Sequence, residues 1–388
     1  MKRTLEKISL LALSTMLVST YSISSALPYM LEKYRTFSPE KVELLISLPS
    51  FTIMIILLSN TLLTKWLREK QMIVLGLLIL GLAGMMPLAY QSYIWVFLSR
   101  LLLGVGIGLI NAKAVSIISE RFEGHEKVQM MGYRGSAEVV GVSFLTFLVG
   151  FLIKIAWYLA FAVYSFAFVV LLLYLMFVPS REKKEIDFEE NAVIKERLSP
   201  TQWKQALFYA FLAGMGVFLN TVVNMRTSLM VTEMGMGTAS QASLVLSLQQ
   251  LIGIVSGILF AKCLETFGAR LGGLSCVGLA VAYMGMGLAT GFYSLGAMTI
   301  LSGFFYSLIM TVAFQSVSDV IPARLINTAT AVVLLGCNIG SAFTPYFLKI
   351  IGIFFSDNRQ IFLFLAVSTF MLGVFLLCKP RKTIESLD

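Results

Sequence analysis

The sequence predicts an all-α membrane protein with twelve transmembrane helices in two pseudo-symmetric six-helix bundles. Three observations lead to this fold class: a mean hydropathy of +0.84, a charged fraction of 13%, and an internal repeat. Globular domains carry about 25% charged residues, so this chain lacks the charge to cover a water-exposed surface. The lipid bilayer is therefore the expected solvent of the folded chain.

Twelve apolar stretches reach the length of about 20 residues that a helix needs to cross a bilayer. We number them spans 1 to 12, at residues 8–31, 42–63, 71–90, 94–118, 130–152, 157–178, 206–230, 239–261, 272–290, 294–318, 326–352 and 360–378. The first stretch resembles a signal peptide in isolation, but eleven further spans favour an uncleaved helix. The polar segment 179–205 divides the chain into a bundle at 1–178, a linker, and a bundle at 206–388.

The two predicted bundles share a sequence repeat. With an offset of 199 residues, Gly104 aligns with Gly303 and Gly141 aligns with Gly340, without a gap. With an offset of 197, the loop between spans 2 and 3 aligns with the loop between spans 8 and 9. Repeated halves of this kind are typical of transporters, whose substrate site lies near the midplane between the halves.

Most loop Lys and Arg residues fall on the side that carries both termini and the 179–205 segment. Because cytoplasmic loops carry an excess of Lys and Arg, both termini are predicted to be cytoplasmic in a multi-pass plasma-membrane protein. The net charge of +9 follows mostly from this asymmetry. We therefore expect no nucleic-acid partner.

No enzymatic site, metal centre or cofactor is predicted. The four cysteines lie in or beside spans without a CxxC pair, and the single histidine, His125, lies in a loop. No GxxxxGK[ST] phosphate-binding loop occurs, so we expect no nucleotide hydrolysis by this chain. A monomer is expected.

We single out five charged residues inside apolar stretches, where a charge at mid-bilayer costs about 2.5–3.5 kcal/mol. They are Arg100 and Lys113 in span 4, Arg134 and Glu138 in span 5, and Arg226 in span 7. Each is a candidate for substrate binding or coupling, and each has a structural alternative. Arg100 can bond neighbouring carbonyls, Lys113 and Arg226 can snorkel, and Arg134 and Glu138 can form an i,i+4 ion pair.

Glu138 is the one acid predicted to lie well inside a span, so it is the candidate proton carrier. Four deep cations against one anion favour an anionic or zwitterionic substrate. Apolar contact for an amphiphilic solute is available from aromatic and methionine side chains of spans 7 and 10: Met215, Phe218, Tyr306 and Met310.

Span 4 carries glycines at helical spacing from its arginine. Arg100, Gly104 and Gly108 share one helix face, on which the two glycines allow a neighbouring backbone to approach closely. Lys113 points to another face. We expect Gly104 and Gly108 to pack against a neighbouring helix.

At these motifs the chain resembles the major facilitator superfamily. Its loop after span 2 is similar to the family signature GxLaDRxGRr at Leu62, Lys65 and Arg68, and departs from it at Asn60, Thr64 and Leu67. The SRLLLGVGIGL segment is similar to the RxxxGxG signature, with Arg100, Gly104 and Gly106 in place.

The segment MMGYRGSAEVVG of span 5 also resembles the family, nearest its drug and sugar efflux branch, although the antiporter Gly-Pro pair is missing after Gly141. The resemblance implies a proton-linked or hydrogen-bonded role for Arg100. It also implies gating roles for Lys65 and Arg68 in the loop after span 2. Glu120 and Asp319 lie at the cytoplasmic ends of spans 4 and 10, and we expect them to be inner-gate or helix-end residues.

The predicted function is secondary active transport of a small organic solute by alternating access, as proton-coupled efflux. One alternative is an importer or exchanger of an organic anion that uses a basic central cavity. The other is a membrane receptor or scaffold that transports nothing.

Overall fold

A computed structural model describes residues 2–114, 116–179, 198–322, 325–355 and 357–378. All regular structure in these ranges is helical. The first half has helices at Lys2–Thr15 and Leu27–Lys33 (span 1), Pro39–Leu58 (span 2), Glu69–Ala89 (span 3), Tyr93–Ala114 (span 4), Gly124–Leu152 (span 5) and Trp157–Phe177 (span 6). The second half has helices at Pro200–Glu233 (span 7), Ala239–Phe267 (span 8), Leu271–Gly287 (span 9), Phe292–Val320 (span 10), Ile326–Ala342 with Thr344–Phe354 (span 11) and Asn358–Cys378 (span 12).

In the described residues, nine helices are long and apolar enough to cross a membrane, or eleven when two bent pairs each count as one span. One of the nine is the 49-residue run Ala239–Gly287. At about 1.5 Å per residue, a straight helix of that length would measure about 74 Å, far more than the roughly 30 Å of a bilayer core. The run contains two helices joined at Gly268–Arg270, so the twelve-span prediction is confirmed.

Spans 1 and 11 are broken rather than continuous. Span 1 bends by 48° between its two parts, and short 3-10 turns replace the α-helix from Ser19 to Ala26. Span 11 bends by 47° near Phe343. Broken helices at membrane depth expose backbone groups that side chains must satisfy, and they occur where protein or a cavity surrounds them.

Span 7 begins at Pro200, inside the predicted linker. Ser199 and Gln202 form a capping box there, and proline fits the first turn because its missing N–H needs no partner. Residues 180–197 of the predicted linker lie outside the described residues.

Glycine contacts reproduce the sequence repeat in three dimensions. Gly141 of span 5 lies against the backbone of Thr15 in span 1, and Gly340 of span 11 lies against the backbone of Gly214 in span 7. Thr15 and Gly214 are themselves 199 residues apart. Spans 5 and 1 therefore pack in the first half as spans 11 and 7 pack in the second.

We call the end with residues 2 and 378 the inner end, and the opposite end, with residues 34–38, the outer end. The halves meet along spans 1, 2 and 5 on one side and spans 7, 8 and 11 on the other. In the outer part of this interface, Ser143 Oγ donates to Ser247 O at 2.8 Å and Ser25 Oγ donates to Ser243 Oγ at 3.1 Å. Nearer the inner end, a Cβ at Gly132 of span 5 would meet no atom within 4 Å. The described helices of the two halves are thus joined by direct hydrogen bonds in the outer part of their interface.

Candidate functional site

Arg100 is completely buried in span 4 and bonded in three directions. Its Nε donates to Leu45 O (2.8 Å) in span 2 and its Nη2 to Thr20 O (2.8 Å) in span 1. Its Nη1 donates to the hydroxyl of Tyr164 in span 6 at 2.7 Å. The centroid of the Tyr164 ring lies 5.5 Å from Arg100 Cζ. These partners are carbonyl and phenol oxygens, so the geometry supports the structural role of Arg100 over the proton-linked one.

The two span 4 glycines lie on the same side as Arg100, against span 2. Gly104 touches Pro49 and Thr52, and a Cβ on Gly108 would come within 2.7 Å of Ile56 Cβ. Span 4 therefore approaches span 2 closely, beginning at Pro49.

Arg134 and Glu138 form an ion pair within one helix, in the inner part of span 5. Arg134 Nη2 lies 2.6 Å from Glu138 Oε1, and the side chains are 20% and 24% exposed. Because both partners lie on span 5, this ion pair does not connect span 5 to another helix. The Glu138 side chain is partly exposed.

Arg226 pairs across the two halves with an acid that was not a candidate. Arg226 Nη2 lies 2.7 Å from Glu43 Oε1 of span 2, with exposed fractions of 14% and 2%. The pair lies on the wall of an outer cavity of about 630 Å³ between the halves. Beside it, Lys349 of span 11 bonds Glu40 of span 2 at 2.7 Å, and Asn358 Nδ2 donates to Glu233 at 2.9 Å.

Glu138 is therefore not the one acid paired with a cation of the spans, because Glu43, at the outer end of span 2, is only 2% exposed. From sequence alone Glu43 counts as an edge residue, because span 2 is predicted to begin at 42. The helix instead begins at Pro39, with Ser38 preceding it, which places Glu43 one turn inside. The sequence signal for this pair was that Glu43 lies at the outer edge of span 2 and Arg226 at the outer end of span 7.

A hydroxyl cluster joins the halves near the middle of the molecule. Ser50 Oγ of span 2 lies 2.7 Å from Ser341 Oγ of span 11, and the Tyr21 hydroxyl of span 1 contacts both. Tyr306 of span 10 lies within electrostatic range of Tyr21. We call Tyr21, Ser50 and Ser341 the central hydroxyl cluster.

The second half carries an equivalent polar pair. Adding 199 to Tyr21 and Ser50 gives Asn220 and Gln249, and Gln249 Nε2 donates to Asn220 Oδ1 at 2.7 Å. Apolar side chains of the same half lie close by: Met310 faces Gly216, and Phe218 packs on Phe347 with ring centroids 5.6 Å apart. The middle of the molecule therefore offers neutral polar groups beside aromatic and methionine surface.

Lys113 and Glu120 belong to a charged network at the inner end of the first half. Glu69 at the start of span 3 lies within electrostatic range of Lys113 and Glu120. Arg121 Nη1 lies 2.7 Å from Glu6 Oε1, and its Nη2 lies 3.7 Å from Glu69. The structure thus brings Lys113 and Glu120 together with partners that the candidates did not include.

The remaining gating candidates lie at the inner surface. Lys65 and Arg68 are exposed, and the backbone N–H of Arg68 donates to Gln71 Oε1 at the start of span 3. Asp319 accepts a hydrogen bond from Gln315 Nε2 at 2.8 Å.

The N-terminal helix is tied to the start of span 5 by ion pairs. Glu126 lies 2.6 Å from Lys7 and 2.5 Å from Arg3. The hydrogen bond from Lys7 and the charge of Arg3 hold the pKa of Glu126 below its usual value.

Pairing removes most of the cation excess that the sequence suggested. Arg134 and Arg226 each have a carboxylate partner, and Arg100 is enclosed by its three acceptors. Lys113 lies among the acids of the inner end. This arrangement lends less support to a basic central cavity than the count of deep charges did.

An all-helical chain of twelve spans in two repeated bundles, with polar groups joining them at mid-depth, has the architecture of a membrane transporter. A model of the Major Facilitator Superfamily matches residues 9–345 and 238–387. The chain belongs to this family, so it is a multi-pass secondary transporter and not an enzyme. No curated protein matches the sequence.

Solved transporters share the fold at low identity. A D-xylose–proton symporter is 16% identical with a TM-score of 0.77, over 97% of this chain and 98% of that chain. A POT family transporter in complex with 5-aminolevulinic acid is 12% identical with a TM-score of 0.76, over 97% and 95%. An inward-open xylose transporter from E. coli is 13% identical with a TM-score of 0.74, over 99% and 98%.

Proposed function

We propose that this chain exports a small organic solute across the plasma membrane by alternating access, driven by the proton gradient. The central hydroxyl cluster carries the proposal, because it joins spans 1, 2 and 11 where the two halves meet. A solute held between the halves at this depth would reach either side as the halves rock against each other.

The neutral character of the surrounding groups favours an uncharged or amphiphilic solute. Tyr21, Ser50, Ser341, Asn220 and Gln249 offer hydroxyl and amide groups, beside apolar surface from Phe218 and Met310. An organic anion is the second candidate, and the pairing of Arg134 and Arg226 with carboxylates gives it less support.

The proposed proton site is Glu138. It lies in the inner part of span 5, is partly exposed, and is paired with Arg134 of the same helix. A carboxylate that alternates between ion pair and neutral acid is a suitable carrier, because its proton affinity depends on the local access of water.

Replacing Glu138 by glutamine should leave solute binding intact and reduce pH-driven transport to about background, because the amide cannot take up a proton. The measurement is transport of a panel of labelled neutral and anionic solutes into proteoliposomes with an imposed pH gradient. The exposed Glu123, at the start of the same helix, is the matched control, and Glu123→Gln should transport like the wild type. Undiminished pH-driven transport by Glu138→Gln would exclude Glu138 as the carrier.

A further inference from the structure

Pro49 explains why span 2 needs a hydrogen-bond donor from Arg100 of span 4. Proline has no backbone N–H, so Pro49 cannot donate to the carbonyl four residues earlier, which belongs to Leu45. That carbonyl is the acceptor of Arg100 Nε at 2.8 Å. The guanidinium therefore supplies, from span 4, the hydrogen bond that the proline removes from span 2.

The break in span 1 also leaves backbone carbonyls that need hydrogen-bond donors. The α-helix stops at Thr15 and resumes at Leu27, and carbonyls in the interrupted stretch lack the regular helical donors. Arg100 Nη2 donates to Thr20 O in this stretch at 2.8 Å. The hydroxyl of Tyr164, which Arg100 also holds, donates to Ser19 O at 3.3 Å.

Both carbonyl contacts of Arg100 lead to residues of the central hydroxyl cluster. Thr20 precedes Tyr21, and Pro49, whose missing N–H leaves Leu45 O to Arg100, precedes Ser50. On the same stretch of span 2, Ser47 Oγ donates to Ala342 O of the second half at 3.4 Å. Arg100 thus bonds the segments of spans 1 and 2 that carry the central hydroxyl cluster, and these segments contact the second half.

We infer that Arg100 is a positioning residue for the central hydroxyl cluster, acting as a three-way clamp on two carbonyls and one hydroxyl that compensates for Pro49 and for the break in span 1. The planar guanidinium presents its donors in a rigid fork, whereas a lysine ammonium is a point charge on a flexible stem. Charge alone is therefore not enough at this position. The inference rests on the proposed function only for the statement that the cluster binds the solute.

The clamp is tested without any solute, by disulfide formation between the halves. In a chain whose four native cysteines are replaced by serine, one variant carries Ser50→Cys with Ser341→Cys. A matched control carries Thr146→Cys with Ser243→Cys, at a contact between spans 5 and 8 where Ser243 Oγ donates to Thr146 O at 2.5 Å. The rate of oxidative cross-linking is measured in membranes.

Adding Arg100→Lys should slow cross-linking of the 50–341 pair about ten-fold, since at least one buried carbonyl loses its donor. The 146–243 pair should change less than about two-fold, because Arg100 bonds neither span 5 nor span 8. Adding Pro49→Ala to Arg100→Lys should recover about half of the lost rate or more, because the restored N–H of residue 49 can bond Leu45 O.

Tyr164→Phe is the milder variant for the case that Arg100→Lys does not fold, and it should slow the 50–341 pair about three-fold by removing one of the three bonds. Equal slowing of both pairs would mean general destabilisation and would overturn the clamp. An unchanged 50–341 rate, or no recovery with Pro49→Ala, would overturn it as well. If cross-linking changes as expected but the wild-type protein shows no pH-driven transport, the proposed function is contradicted and the role of Arg100 is not.

Discussion

Replacing Glu43 by glutamine should open the outer end of the protein. The substitution leaves Arg226 largely buried without its carboxylate, and breaking a buried ion pair costs about 3–5 kcal/mol. Because the pair joins spans 2 and 7, that cost falls on the closed arrangement of the halves. Taking the lower bound, since Arg226 is 14% exposed, the closed-to-open ratio should fall on the order of 100-fold.

The measurement is the labelling rate of a cysteine placed at Leu348, a buried residue on the wall of the outer cavity, by a membrane-impermeant thiol reagent. Labelling of Leu348→Cys should accelerate strongly in Glu43→Gln. The double exchange of Glu43→Arg with Arg226→Glu should return the rate towards that of the parent, because opposite charges again face each other across the halves.

The neighbouring pair of Glu40 and Lys349 is the control. It joins the same two halves at the same distance of 2.7 Å, but Lys349 is 58% exposed. Exposed ion pairs contribute about 0–1 kcal/mol, so Glu40→Gln should change labelling less than about five-fold. Similar rates for Glu43→Gln and Glu40→Gln would contradict the view that burial makes the Glu43–Arg226 pair the stronger contact.

Gly340→Ala should destabilise the folded protein, whereas Gly132→Ala should not. A Cβ at Gly340 would collide with the backbone of Gly214, and backbone cannot move aside as a side chain can. Overpacking of this kind costs about 1–3 kcal/mol. At Gly132 a Cβ meets no atom within 4 Å, and alanine in a helix interior is more stable than glycine by about 0.5–1 kcal/mol.

Thermal or denaturant unfolding of the purified variants compares the two changes directly. Gly141→Ala, at the repeat-related contact with Thr15, should behave like Gly340→Ala. Unfolding midpoints that are equal for Gly340→Ala and Gly132→Ala would show that the close contact between spans 7 and 11 can relax.

The twelve spans and the two bundles were predictable because they depend on local and additive properties. Apolar length reports crossing of the bilayer, and the 199-residue offset reports the duplication, wherever the helices finally pack. The breaks in spans 1 and 11 were not predicted, since hydropathy does not register a bend. Pro49 was visible in the sequence, but the arginine that compensates for it is 51 positions away.

Charge partners show most clearly what sequence alone determined and what the tertiary structure decided. The sequence determined which charges lie within or beside apolar spans, and the i,i+4 spacing of Arg134 and Glu138 even predicted their pairing, because both lie on one helix. Only the packing of separate helices decided that Arg226 meets Glu43 and that Arg100 meets carbonyls of spans 1 and 2. A buried charge must find a partner, but which partner it finds depends on how helices distant in the chain are brought together.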